Sequence, residues 1–305
     1  MNEDRKENDN DLRKITVYDE DGNELLISVK DWRERVLPDQ LKANFNNPDS
    51  LYTLIVMSLH DGFYPEILEA TEVLLKIDSD KERSHTVRSI LLMKVDKLDD
   101  AEEVLKNYIK EFSATGVILT NLAKIYDERN NVVESEKILW EALTLDPNQD
   151  NGLEWWGAIH RDKGGEKGFY NAIRRAASIE GSWRPQLWLA RVCLEKGNLQ
   201  VATNYYIDIL KIARNESEVL MQISGDLGKH GHFNEALKLI YPLYHPENHI
   251  PEVGFNLLQC LLEKKDYNEG EYLLQKLIDL KNPILTAKLK YFFDEFEKLK
   301  NNEMA

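Results

Sequence analysis

Cysteine is nearly absent. The two present, Cys193 and Cys260, form no C-x-x-C. That removes a disulfide framework and a dithiol redox motif, and it predicts two reduced core thiols in a cytoplasmic protein. Long apolar runs are missing as well: none approaches the roughly 20 residues that span a bilayer. The opening MNEDRKENDNDLRK has no apolar core of the signal-peptide kind, so export by the usual route is not expected. Basic residues are the minority, 39 against 54 acidic, for a net charge of −15. This speaks against a general nucleic-acid binder or an anionic membrane surface, both of which need a basic footprint.

Signatures of chemistry are also wanting. GGEKG at 164–168 has no strand before it and lacks the spacing of a phosphate loop, and no G-x-S-x-G occurs. His230 and His232 lie in one turn, His245 and His249 in the next connection. A helix between them, at about 1.5 Å per residue, holds the two pairs nearly 20 Å apart, too far to share a metal. The segment His245-Pro-Glu-Asn-His249 is not helical either, so its spacing is not that of a zinc-binding helix. Asp and Glu are abundant but fall on wet helix positions, and no carboxylate pair stands out. Neither a cofactor nor a metal is expected, and the chain reads as non-enzymatic.

What is present is a rhythm. In Gly116–Asn148, Leu119, Leu122, Ala123 and Tyr126 recur at helical spacing, and Ser135, Leu139, Ala142 and Leu145 do so again. Asn130-Asn131 breaks the pattern between them and Asp146-Pro147 closes it. The small residue of the first half falls in successive copies on Ile55, Ser89, Ala123, Gly157, Ala190, Ser224 and Leu258, every step 34 residues but one of 33. That of the second half falls on Ile67, Ala101, Ser135, Phe169, Ala202, Ala236 and Gly270. Helices crossing at about 8–10 Å need small residues at the contact. Larger side chains fill the space around it: Leu105, Leu139, Ile173, Tyr206, Ile240 and Leu274 share one position. Phe169 is the internal exception, and Gly164-Gly165 before it predicts a different turn and a slip of one residue.

This pattern resembles the tetratricopeptide repeat, a helix–turn–helix unit of about 34 residues. Its small residue and Tyr match Ala123 and Tyr126, its second-helix positions Ser135, Leu139 and Ala142, and its closing Pro matches Pro147; its early Trp is replaced by Leu119. Seven copies are read, at 48–81, 82–115, 116–149, 150–182, 183–216, 217–250 and 251–282. The resemblance implies an all-α, right-handed α-solenoid, a single elongated array spanning 48–282.

Around the array, residues 1–14 read as a disordered tail. Residues 15–47 read as an N-terminal cap: a hairpin turning at Asp19–Asn23, then a helix over Lys30–Asn44 with Asp31 as N-cap and a kink or break at Pro38. Residues 283–305 hold a closing helix whose apolar face is Leu285, Leu289, Phe292, Phe293 and Phe296.

In this family the first helices line a concave face. The positions that point into it are Thr120, Asn121 and Lys124 in the third repeat, Asn151, Trp155 and Arg161 in the fourth, Arg184, Trp188 and Arg191 in the fifth, and Met221, Gln222, Phe255, Asn256 and Gln259 in the sixth and seventh. Arg and Trp are enriched at binding hot spots, and Arg holds carboxylates with paired hydrogen bonds. One of Trp155 and Trp156 must belong to the core. The two-carboxylate clamp of some family members is not reproduced: only Asn121 matches, with Thr86 and Ile90 at the preceding Lys and Asn positions. The implied function is a protein-binding scaffold whose partner is a peptide or protein segment with acidic groups, neither nucleic acid nor membrane. The alternatives are a peptide-responsive regulator and an accessory subunit of an enzyme complex. Self-association through the hairpin edge is a further expectation.

Overall fold

The computed structural model describes residues 13–18 and 24–303. Residues 1–12 of the expected tail and the turn Asp19–Asn23 lie outside them, and Lys14 belongs to the first strand. The chain divides into two compact units, Met1–Ala142 and Leu143–Ala305.

Unit one begins with an antiparallel hairpin, β1 (Lys14–Tyr18) and β2 (Glu24–Ser28), in which Thr16 faces Leu26. A helical run, α1, follows without a break: Val29–Asp31, a π-helical Trp32–Val36, then Leu37–Ala43. Ser28, rather than Asp31, caps it. The Ser28 hydroxyl accepts from the Asp31 amide at 3.0 Å and donates to the Asp31 carboxylate at 2.7 Å. Asp31 therefore answers the cap from inside the first turn. Pro38 does not split the helix, because the wider π turn just before it absorbs the missing amide donor.

Three helix pairs come next: α2 (Pro48–Asp61) with α3 (Leu68–Ile77), α4 (Lys81–Lys94) with α5 (Leu98–Phe112), and α6 (Gly116–Glu128) with α7 (Val132–Leu145). Leu37 and Leu41 of α1 join Leu51, Ile55, Ile67 and Leu74 in one apolar core. The cap thus covers the first pair. Burying each such side chain contributes about 1.5–3 kcal/mol.

Unit two continues the same scheme. The helix α8 (Asp150–Ala177) is two helices joined at Gly164 and Gly165, where the backbone leaves helical angles. After it come α9 (Arg184–Glu195) with α10 (Leu199–Ala213), α11 (Ser217–Lys229) with α12 (Phe233–Ile240), α13 (Pro251–Glu263) with α14 (Tyr267–Asp279), and a last helix α15 (Thr286–Glu303). One core runs through these pairs from Leu187 to Phe296.

The predicted rhythm appears as burial. Ile55, Ser89, Ala123, Ala190, Ser224 and Leu258 are all fully enclosed, as are Ala101, Ser135, Ala202 and Ala236. A second rhythm accompanies it. The turn inside each pair holds a residue with positive φ: Gly62, Asp96, Asn130, Gly165, Gly197, Gly231 and Lys265. This left-handed residue ends the first helix and reverses the chain.

The fourth pair keeps the register and changes the turn. A Cβ on Gly157 would lie 2.7 Å from the Phe169 ring, so Gly157 makes the room that Phe169 occupies. Ile173 remains buried in its expected place. The anticipated slip therefore does not occur at the core positions. The turn is tighter instead, and Gly168 abuts the His160 carbonyl.

Two further expectations change. Leu145 is exposed at the end of α7, while Leu143 is buried. Phe293 does not share the buried face of Leu289, Phe292 and Phe296; it is 52% exposed. A residue next to Phe292 points about 100° away around the helix, and here that turn carries Phe293 off the buried face.

The family-type tyrosine also carries charge chemistry. Tyr126 donates to Glu102 at 2.9 Å, and Arg129 and Lys106 bind the same carboxylate. Burial alone would raise the Glu102 pKa, but these donors outweigh it and hold it at about 2. A depressed carboxylate stabilises the fold above its unfolded pKa and loses that contribution as pH falls through its folded value. Wild type is therefore expected to exceed Glu102→Gln by on the order of 2 kcal/mol in urea melts at neutral pH. The gap should close between about pH 4.5 and pH 2. A gap unchanged down to pH 3 would count against this account.

Candidate functional site

In unit one, Asn121 is buried, and its amide donates to the Val117 carbonyl at 2.9 Å, one turn back on α6. Lys124 is solvent-accessible. The protein around its amine, and then the Lys94 charge, push its ammonium below the ordinary lysine range. Two lysines near each other without a carboxylate between them make this the one uncompensated cationic spot among the expected groove residues.

Unit two settles the tryptophan pair. Trp156 is the core residue, and its indole donates to the Ala172 carbonyl at 3.3 Å. Trp155 is half-buried and makes no ring contact or hydrogen bond among the described residues. Its indole N–H is free for a ligand.

Phe169 organises much of the rest. The Trp188 ring lies parallel to it, 17° between planes and 6.1 Å between centroids. The Arg161 guanidinium sits over the Phe169 ring at 3.9 Å and also binds Glu166 at 2.8 Å. Arg161, Phe169 and Trp188 thus share one stack, brought together from both halves of α8 and from α9. Cation–aromatic contacts of this kind contribute about 0.5–1 kcal/mol where exposed.

The arginines of α9 belong to a second network. Arg184, 8% exposed, donates Nη1 and Nη2 to the two oxygens of Glu218, at 2.7 and 2.8 Å. It reaches Asp150 at 3.3 Å and the Asn148 carbonyl as well. Glu218 accepts from Gln222 at 2.8 Å, and Gln222 accepts from Arg191 at 3.2 Å. Arg191 also binds Asp226 at 3.0 Å, and the buried Tyr206 hydroxyl lies 3.5 Å from the other Asp226 oxygen. Burial, then the Asp226 charge, push the Tyr206 phenol well above its usual range. Trp188 stands between the two arginines on one face of α9, at i+4 from Arg184 and three before Arg191.

Phe169, Glu218 and Asp226 escaped the sequence-derived set, whereas Gln222 was among the positions expected in the groove. A signal for Glu218 existed: Asp150, Arg184 and Glu218 stand at 34-residue intervals, and Asp49 and Arg83 do the same in unit one. Alternating charge at one repeat position marks a strut rather than a contact surface. Phe169 had the opposite signal, a large residue in a column of small ones.

First helices of adjacent pairs touch one another in both units, α2 with α4 and α4 with α6, then α9 with α11, α11 with α13 and α13 with α15. With buried small residues every 34 positions and a left-handed turn inside every pair, the arrangement is decided. Each unit is an array of stacked helix–turn–helix pairs at a 34-residue period, the arrangement that the tetratricopeptide resemblance implies. No family model matches the chain, and no curated protein matches it.

Several solved structures resemble it at low similarity. The anaphase-promoting-complex assembly Cut9–Hcn1 aligns at 16% identity over 87% of this chain and 56% of that one, TM-score 0.37. Naa15/Naa10 bound to HypK aligns at 16% identity over 83% and 39%, TM-score 0.36. A tetratricopeptide-repeat protein from Parabacteroides merdae aligns at 12% identity over 82% and 98%, TM-score 0.35. The chain thus spans about half or less of the first two. Among the described residues no helix is long and apolar enough to cross a membrane.

Proposed function

We propose that this protein is a non-enzymatic scaffold that holds a segment of another protein against its first helices, in the cytoplasm. In unit two the contact surface is Trp155 together with the Arg161–Phe169–Trp188 stack; unit one offers a contact of its own at Lys124, with the buried Asn121 behind it as a positioning residue. The observation that supports this most is the free, half-buried Trp155. It offers a flat apolar face and an unused N–H donor, while the neighbouring stack and the Arg184–Arg191 network keep the surface rigid. A guest meets a preorganised platform, which lowers the ordering cost of binding.

The charges refine the partner. Arg161, Arg184 and Arg191 each already hold a carboxylate. Unit two therefore has little net pull on acidic groups, while in unit one Lys124 with Lys94 offers a separate place for an acidic side chain. Arg184 and Arg191 serve the platform as positioning residues.

The test is quantitative affinity capture with wild type, Trp155→Ala and Lys124→Glu. Partner recovery should fall at least about tenfold with Trp155→Ala, as for an interface hot spot. It should largely survive about 0.5 M salt in wild type, because apolar contact dominates. Far-ultraviolet circular dichroism should show both variants folded. Unchanged recovery by folded Trp155→Ala would remove the proposed surface.

A further inference from the structure

The last helix pair leaves an apolar furrow open. Between α14 and α15 lie two adjoining cavities of about 390 and 200 Å³ that share Ile278 and Phe293. Ile278 is 41% exposed and Phe293 52%. Apolar side chains of this size, grouped in a groove and open to water, mark a contact surface more often than isolated ones do.

The two ends of the furrow differ in charge. The end nearer the α14–α15 connection carries Lys281 and Lys290, and the other carries Glu271 and Glu297. Among the described residues neither Lys281 nor Lys290 forms an ion pair; at the other end Lys300 binds Glu271 at 2.9 Å and also feels the charge of Glu297, so that two carboxylates there face one ammonium. The furrow is thus basic at one end, apolar in the middle and acidic at the other.

A surface with that order is complementary to itself. A two-fold axis through the middle sets Phe293 and Ile278 of one copy against those of the other. The same axis sets the lysines of each copy against the glutamates of its partner. A two-fold interface uses the same patch on both copies, so opposite charges must sit on opposite sides of its centre. Here they do. A uniformly acidic or basic guest would meet repulsion at one end. We infer that the α14–α15 furrow is a homodimer interface whose occupant is the same furrow of a second copy.

This surface is separate from the first-helix platform and from the hairpin edge. Sedimentation equilibrium of the full chain, from about 1 to 100 μM, tests it. Wild type should be a dimer within that range. Lys281→Glu with Lys290→Glu places like charges across the axis, and so does Glu271→Lys with Glu297→Lys. Each double variant should weaken association at least about 100-fold. An equimolar mixture of the two should dimerise again, since each then meets its opposite. Circular dichroism should match wild type in both, because all four side chains lie at the surface. A monomeric wild type throughout the range would overturn the inference and leave the furrow to a different chain. A dimer unaffected by both double variants would overturn it too.

Discussion

Arg184→Leu is expected to cost about 1–3 kcal/mol of stability, the range for losing charge-assisted hydrogen bonds. That range applies because Arg184 is buried while its partners Glu218 and Asp150 stay 41% and 65% exposed. The guanidinium is enclosed and satisfies both oxygens of Glu218, one of Asp150 and the Asn148 carbonyl. A leucine fills similar space but leaves those acceptors unmatched. Arg184→Lys should recover little, because a point ammonium cannot present two parallel donors to Glu218. Urea denaturation of unit-two fluorescence, where Trp155, Trp156, Trp183 and Trp188 report, would read the loss. A variant within about 0.5 kcal/mol of wild type, the range of an ordinary surface change, would show the network to be ornamental.

Gly168→Ala should also destabilise, against the direction that helix propensity predicts. In an open helix, alanine gains about 1 kcal/mol over glycine. At this position an added Cβ would stand 2.2 Å from the His160 carbonyl oxygen, which is main chain and cannot rotate away. Overpacking of this kind costs about 1–3 kcal/mol, and the contact is tight enough to sit at the upper end. The net expectation is a loss of about 1–2 kcal/mol. Gly164→Ala is the control, since nothing lies within 4 Å of its added Cβ and its φ is −142°. Thermal melts of both variants give the answer. A stabilised Gly168→Ala would mean that the two halves of α8 are further apart than described.

These cases show where sequence reading works and where it stops. The repeat was legible because it depends on side-chain size at fixed spacing, and size is written in the letters. Ala123, Ala190, Ala202 and Ala236 could be placed in helix contacts without coordinates. The helix directions followed from the same spacing. Pairings between polar side chains were not legible in this way. Arg184 and Arg191 stand at positions that face the groove in the resemblance, yet their long side chains turn along the helix surface to reach Glu218, Gln222 and Asp226. Rotamers of that length are chosen by partners in the next pair, which a single repeat does not reveal. Trp155 and Trp156 were separable only by seeing which indole finds the Ala172 carbonyl. Phe169 looked like a fault in the rhythm because its compensation, the bare Gly157, lies 12 residues away on the facing helix.

The polar chain through α9 and α11 bears on how the molecule comes apart. Stacked pairs that touch only their neighbours tend to peel from an end, one after another. When the peeling front arrives at α11, removing that helix withdraws Glu218, Gln222 and Asp226 together and strands two guanidinium groups at once. The step is steeper than those before it. Peeling from the C-terminal side should therefore stall there, and amide exchange should show α13 to α15 opening well ahead of α9 and α11.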